Sequence, residues 1–228
     1  MRVGRVLYPI KALGPGERLG IWLQGCDRRC EGCANPELRE KEKGEMPLPM
    51  LVAMCKAAME DYSLTGITIS GGEPLLQAEE LAELMAALRP VCDDILLFTG
   101  YTLENAGQIS AEEMPGEKTE SGNRNVRAAS GRIVHDGELN DDAVERVLSL
   151  VDVVVDGVYI RDLNCGEILR GSSNQVIHYL NGNSGEEAPG TLRTKYEAYI
   201  ETNRKQIDEF IAHDGIVAVG IHPGEFIK

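Results

Sequence analysis

The chain has 228 residues, 43% of them hydrophobic, with a formal net charge of −14 at neutral pH. That length suits one sizeable α/β domain, and the acidic balance speaks against a nucleic-acid partner, which would need a basic footprint. No apolar run approaches the roughly 20 residues that span a bilayer and no charged-then-apolar leader opens the chain, so a soluble, cytoplasmic protein in a reducing compartment is expected.

Met1 to Gln24 alternates short apolar runs around Gly14-Pro15-Gly16, a turn between two candidate strands. The second strand delivers Gly25-Cys26-Asp27-Arg28-Arg29-Cys30-Glu31-Gly32-Cys33-Ala34-Asn35-Pro36. Three cysteines at C-x3-C-x2-C spacing share this loop, with no fourth nearby. A [4Fe–4S] cluster that only carries electrons is normally held by four cysteines. Three leave one iron open to a small molecule, as an open position separates catalytic from structural zinc. His135, His178, His213 and His222 are too scattered for a zinc knuckle, and a disulfide framework does not suit a chain of this size without a leader. On the cysteines alone, an open-iron cluster stands level with zinc or redox thiols.

A charged connection, Glu37 to Pro49, leads into a helical face at Leu51, Met54, Cys55, Ala58 and Met59. Cys55 reads there as a buried small hydrophobe. Next, Gly66 to Ser70 runs as a buried strand into the turn Gly71-Gly72-Glu73-Pro74. Paired glycines let a ligand approach the backbone, and Glu73 can pair with a cationic group. Gln77 to Arg89 is a second amphipathic helix; Cys92, just beyond it, reads like Cys55. Asp94 to Tyr101 is another buried strand, ending at Thr99-Gly100. This alternation predicts a parallel sheet, whose ligands collect at the carboxyl ends of its strands. The cysteine loop, Gly71–Glu73 and Thr99 all fall at that edge.

Ser110 to Asn140 is polar and lacks apolar periodicity, as expected of an inserted surface loop, with Gly131–Gly137 as a small hairpin. A flap that docks a protein partner is the functional alternative. Asp141 to Leu150 reads as a short helix with acidic residues at its start. Val151 to Gly157 is a buried strand ending at Asp156, either a ligand or cation site or a turn former. Arg170, Ser172, Asn174 and Gln175 crowd one glycine turn, suited to a carboxylate, a ribose, a partner backbone or the chain's own backbone. The tail adds a polar stretch, a helix from about Leu192 to His213 and a strand over Gly215–Ile221, with no chemistry assigned to it.

Together, the C-x3-C-x2-C loop and the Ser70-Gly71-Gly72-Glu73-Pro74 turn resemble the radical S-adenosylmethionine (SAM) superfamily. The resemblance implies a partial (β/α) barrel and a [4Fe–4S] cluster held by Cys26, Cys30 and Cys33, whose open iron chelates SAM. Gly71, Gly72 and Glu73 match the residues that hold the SAM amino group; Gly32, Ala34, Ser70, Thr99, Asp156 and Asn174 are the further candidates for the SAM site. Cys165 is rejected as a fourth ligand, because it would fill the iron that SAM needs. Gly-Pro-Gly before the cysteine loop, Gly32 ahead of the third cysteine and the Asp156 to His178 segment are similar to the activating enzymes of glycyl radical enzymes, above all those of anaerobic ribonucleotide reductases. Ala34 departs from the pattern, standing where an aromatic residue is common. Compact members of this group lack the 110–140 insertion and end near residue 180. The expected organisation is therefore a radical SAM core over 1–180 with a C-terminal extension, 181–228, packed on it.

The function so implied is reductive cleavage of SAM to a 5′-deoxyadenosyl radical, which makes a glycyl radical on a partner, an anaerobic ribonucleoside-triphosphate reductase. A flavodoxin- or ferredoxin-type protein would supply the electron. No catalytic residue beyond the cluster ligands stands out. The alternatives are a radical SAM enzyme modifying a peptide or small molecule, and a non-catalytic iron–sulfur or zinc module.

Overall fold

The computed structural model describes residues 1–105, 126–128, 131–134, 139–164, 166–180, 190–202, 207–212 and 215–220. Strand β1 (Val3–Ile10) turns through Gly14 and Gly16, both at positive φ, into β2 (Arg18–Leu23). The cysteine loop follows and ends in a single 3-10 turn, Pro36–Arg39. Helix α1 (Leu48–Asp61) begins two residues before the periodic pattern does, because Pro47 and Pro49 supply first-turn geometry where no N–H is needed. Then come β3 (Gly66–Gly71), α2 (Ala78–Leu88), β4 (Ile95–Phe98), β5 (Thr102–Asn105), β6 (Val126–Ala128) and β7 (Gly131–Val134). Helix α3 (Asp141–Leu150), capped by the Asn140 side chain on the Ala143 N–H, leads to β8 (Val153–Asp156) and β9 (Val176–Tyr179). Helix α4 (Leu192–Thr202) and strands β10 (Asp208–Ala212) and β11 (Gly215–Val219) complete the described chain.

The main sheet has the order β1-β2-β3-β4-β8-β9-β6. Its centre, β2-β3-β4-β8, is parallel, as the strand–helix alternation predicts; β1 and β9 flank it antiparallel. The protein is thus mixed α/β. Alternate residues of each strand serve opposite faces. Leu19, Ile21, Leu23, Ile67, Ile69, Ile95, Leu97 and Val154 pack against α1, α2 and α3 in one core. Leu96, Val153 and Val155 face the other way and meet Leu169, Ile177, Tyr179, Tyr196 and Tyr199, so α4 covers part of the second face. Cys55 and Cys92 are buried in the helical core. No helix among the described residues is long and apolar enough to cross a membrane.

Two expectations need correction. Gly131–Val134 is paired with an upstream strand, and residues 135–137 of the expected hairpin lie outside the described ones. It pairs antiparallel with Thr102–Asn105, and Ile133 is buried in the main core. Val126–Ala128 runs parallel beside β9, so the inserted stretch contributes strands, although its residues 110–125, 129–130 and 135–138, His135 among them, lie outside the described ones. The second correction concerns the tail, where the helix stops at Thr202 and Asp208–Ala212 pairs antiparallel with Gly215–Val219. The register sets Ala212 opposite Gly215, so strand pairing prevails here over helical propensity. Cys165, His213 and His222 lie outside the described residues.

Candidate functional site

The carboxyl ends of β2, β3, β4 and β8 open into a cavity of about 690 Å³. The cysteine loop hangs from β2 and is tied at both ends: Gly25 N–H donates to Leu38 O at 2.8 Å and Cys26 N–H to Arg39 O at 3.3 Å. Gln24 Nε2 reaches Glu40 O at 2.9 Å, and Arg39 Nη2 reaches Cys30 O at 2.8 Å. These bonds leave Cys26, Cys30 and Cys33 half-buried, unbridged and on the cavity wall. Burial pushes the Cys26 thiol up to about 11, with nearby Glu73 and Asp27 adding to it against a backbone hydrogen bond. Binding iron as a thiolate would therefore release its proton.

Strand β3 brings the second element. Ser70 pairs in register with Trp22 and Gly71 with Leu23. A Cβ at Gly71 would stand 2.3 Å from Leu23 backbone atoms, and one at Gly72 only 2.2 Å from Gly25 O. Gly72 N–H and Glu73 N–H donate to Leu23 O and Gly25 O, both at 2.8 Å. The close approach that the glycines permit is thus made by the chain's own cysteine loop. They lock that loop's root to β3, beyond any allowance for a ligand.

Glu73 is buried and caps the 3-10 turn Pro74–Gln77. Its carboxylate accepts from Leu75 N–H at 3.1 Å, Thr99 Oγ1 at 2.8 Å and Gly100 N–H at 2.7 Å. Burial pushes its pKa up to about 7, against the pull of those donors and of Arg28. An opposite charge brought beside such a carboxyl would favour its ionised form.

Gly32, Ala34, Ser70, Gly71, Gly72, Glu73 and Thr99 all border the cavity together with the three cysteines. Asp156 and Asn174 do not. Asp156 is buried behind the edge, accepting from Leu103 N–H at 2.6 Å and Val176 N–H at 3.2 Å, with His178 Nε2 at 3.1 Å. Asn174 is exposed and donates to Val158 O at 2.8 Å. Both serve backbone here. So does most of the glycine turn: Ser172 Oγ accepts from Ile160 N–H, and Gln175 bonds Gly171 N–H and Gly157 O, each at 2.7 Å. Gln175 nevertheless borders the cavity.

Sequence reasoning passed over Arg28, Tyr159, Arg161 and Asn164, which also line it. The Arg28 guanidinium lies 3.8 Å over the Tyr101 ring, and Tyr101 Oη donates to Asp27 at 3.2 Å. A cation inside a cysteine loop of so acidic a chain was the available signal.

Among the described residues, no three cysteine, histidine or carboxylate side chains converge on one ion-sized point. A four-iron cube asks for another arrangement, each thiolate meeting a different iron. Three half-buried thiols on one concave wall, with no histidine among them, fit that group better than a single zinc ion.

An α/β sheet carrying a three-cysteine loop at its carboxyl edge suits an iron–sulfur protein. Residues 12–116 match the family model described as a 4Fe-4S single cluster domain. The anaerobic ribonucleoside-triphosphate reductase-activating protein of Vibrio cholerae is 30% identical over 179 residues, covering 75% of this chain and 94% of its own. Its Escherichia coli K12 counterpart is 29% identical over 184 residues, 76% of this chain and 96% of that protein. A pyruvate formate-lyase-activating enzyme from Listeria monocytogenes is 40% identical over 73 residues, 31% of this chain and 29% of that enzyme. The chain belongs to the family of anaerobic ribonucleoside-triphosphate reductase-activating proteins.

Proposed function

We propose that this protein binds a [4Fe–4S] cluster through Cys26, Cys30 and Cys33 and, with SAM, generates a glycyl radical on an anaerobic ribonucleoside-triphosphate reductase. One observation carries the reading: the cysteine loop, Ser70–Glu73 and Thr99 border a single cavity at the carboxyl edge of a parallel sheet. That sheet is read as the partial (β/α) barrel of radical SAM enzymes. Residues 1–180 form its core with the 110–140 insertion, and 181–228 form an extension packed against it.

A cluster held by Cys26, Cys30 and Cys33 would supply the one-electron reduction, drawn from a flavodoxin- or ferredoxin-type donor, that splits the S–C5′ bond of SAM into methionine and a 5′-deoxyadenosyl radical. The chain's own residues supply everything else. Glu73, held by Thr99 and Gly100, accepts the SAM ammonium and loses its proton to do so. Gly71 and Gly72 fix the distance between that carboxylate and the cysteines. Gly32, Ala34 and Ser70 leave room for the nucleoside. Trp22, Leu13 and Phe98 contribute apolar wall, which keeps water from a radical that would otherwise be quenched. Asp156 and Asn174 act on this view as supports of the rim.

The test is an anaerobic assay of reconstituted protein with SAM and dithionite, following 5′-deoxyadenosine by chromatography, then adding the reductase and recording its electron paramagnetic resonance spectrum. Cleavage and a glycyl doublet, both absent for Cys30→Ala, are expected. Zinc without iron after anaerobic purification would overturn the reading.

A further inference from the structure

The tail, which carried no chemistry in the sequence, reaches the site. Ala218, Val219 and Gly220, at the end of β11, form part of the cavity wall. Val219 is 3% exposed and packs with Ile10, Leu13, Trp22 and Leu38. The hairpin is held in place from outside the cavity. Asp208 accepts from Lys11 N–H at 2.6 Å and Ala12 N–H at 2.7 Å, and Tyr199 Oη donates to Lys11 O at 2.7 Å. Three hydrogen bonds thus fasten the extension to the turn between β1 and β2.

We propose that this hairpin determines how the polypeptide substrate enters, β11 forming the wall against which the glycine-bearing segment lies. The inference rests on the proposed function and adds the residues that select the protein partner. Three features favour a polypeptide over SAM. This part of the wall carries no charged or hydrogen-bonding side chain, so it offers nothing to an amino-acid head group. Among the described residues β11 pairs with β10 alone, leaving a strand edge, and such an edge binds extended main chain. Finally, Ala218 and Gly220 are small and flank the buried Val219, so a backbone can approach closely.

The test uses the full-length reconstituted protein, with purified anaerobic ribonucleoside-triphosphate reductase as the polypeptide probe. Ala218→Trp is expected to raise the KM for reductase at least tenfold while the KM for SAM moves less than twofold. A photoreactive benzoylphenylalanine at position 218 is expected to crosslink to the reductase on irradiation, a readout independent of radical chemistry. Asp208→Ala should speed amide exchange at Lys11 and Ala12 and also raise the KM for reductase, with Asp208→Asn restoring both in part. Equal effects on the two KM values would assign the hairpin to the SAM site and overturn the proposal; so would unchanged values or no crosslink, which would leave it as scaffold. Failure of the unsubstituted protein to cleave SAM would instead strike the proposed function, and the crosslink would still judge the hairpin.

Discussion

The two ends of the parallel strands use buried charge in opposite ways. At the amino end, Arg18 is 0% exposed and fully engaged. It donates to Thr68 Oγ1, to the carbonyls of Pro15, Ile67 and Asp94, and to the Asp94 carboxylate. Asp94 also accepts from Lys195 Nζ at 2.7 Å and Tyr196 Oη at 2.8 Å, which joins α4 to the sheet. Asp152 accepts a bidentate pair of bonds from Arg89, at 2.5 and 2.6 Å, and one from Ile95 N–H at 2.9 Å. At the carboxyl end, Glu73 is as buried but has only neutral donors in contact and Arg28 nearby. One end is a finished ionic lock; the other keeps a buried carboxyl with neutral donors alone in contact. The difference teaches that burial of charge alone does not mark a site. An incomplete set of counter-charges beside a cavity does.

The largest effects should separate the ends cleanly. Cys30→Ala is expected to abolish iron–sulfur absorbance and SAM cleavage, with urea midpoint within the range of a surface change, because Cys30 is only half-buried. Asp94→Ala should do the reverse. It strands Arg18 in a site without solvent and removes the anchor of Lys195 and Tyr196, so a loss of about 3–5 kcal/mol in urea unfolding is expected. A cluster-free variant that unfolds as easily as Asp94→Ala would break the division between the ends.

Gly72→Ala sharpens it at the join. The added Cβ would sit 2.2 Å from Gly25 O, so the cysteine loop must shift away from β3. Cluster occupancy is expected to fall severalfold, measured as iron and sulfide per chain, with far-UV circular dichroism unchanged. Occupancy equal to the unsubstituted protein would mean that the loop's root is not what positions the thiols.

Much of the carboxyl end was legible beforehand because backbone chemistry writes it directly. A cysteine loop after an apolar strand, and Gly71-Gly72-Glu73 after another, must meet at one edge once the sheet is parallel. The amino-end lock was not legible: Asp94 and Asp152 read only as acidic residues within the predicted buried strands, and their arginines lie 76 and 63 residues away. Asp156 stayed open between two readings for a related reason. A carboxylate at a strand end can face the ligand or the chain's own N–H groups, and only the neighbouring β5 and β9 decide between them. The hairpin at β10 and β11 was hidden by propensity, since Leu192 to His213 reads as a helix, and only pairing with Gly215–Val219 draws Asp208–Ala212 into a strand.

The smallest effect is the most discriminating, because the two ends should respond to pH with opposite sign. Burial works against the Asp94 carboxylate, but Arg18 and Lys195 outweigh it and hold the group below its ordinary value. Its contribution is therefore present above the unfolded-state pKa and lost as pH falls through the lower folded value. Glu73 runs the other way. Its folded pKa of about 7 exceeds the ordinary 4.5, so the ligand-free fold holds an extra proton between the two values. Stability from this group is complete below the ordinary value and declines as pH rises through 7, by on the order of 3 kcal/mol. Glu73→Gln should remove that decline, making the ligand-free variant more stable than the unsubstituted protein at pH 8 and nearly equal to it at pH 5. SAM should restore the balance in the unsubstituted protein alone: its ammonium favours the ionised carboxyl, so affinity rises as pH passes 7 and binding below 7 releases a proton, measurable by calorimetry in buffers of different ionisation enthalpy. A Glu73→Gln variant whose SAM affinity still climbed across that range would place the cation of the site elsewhere, and the contrast between the ends would no longer rest on this carboxyl.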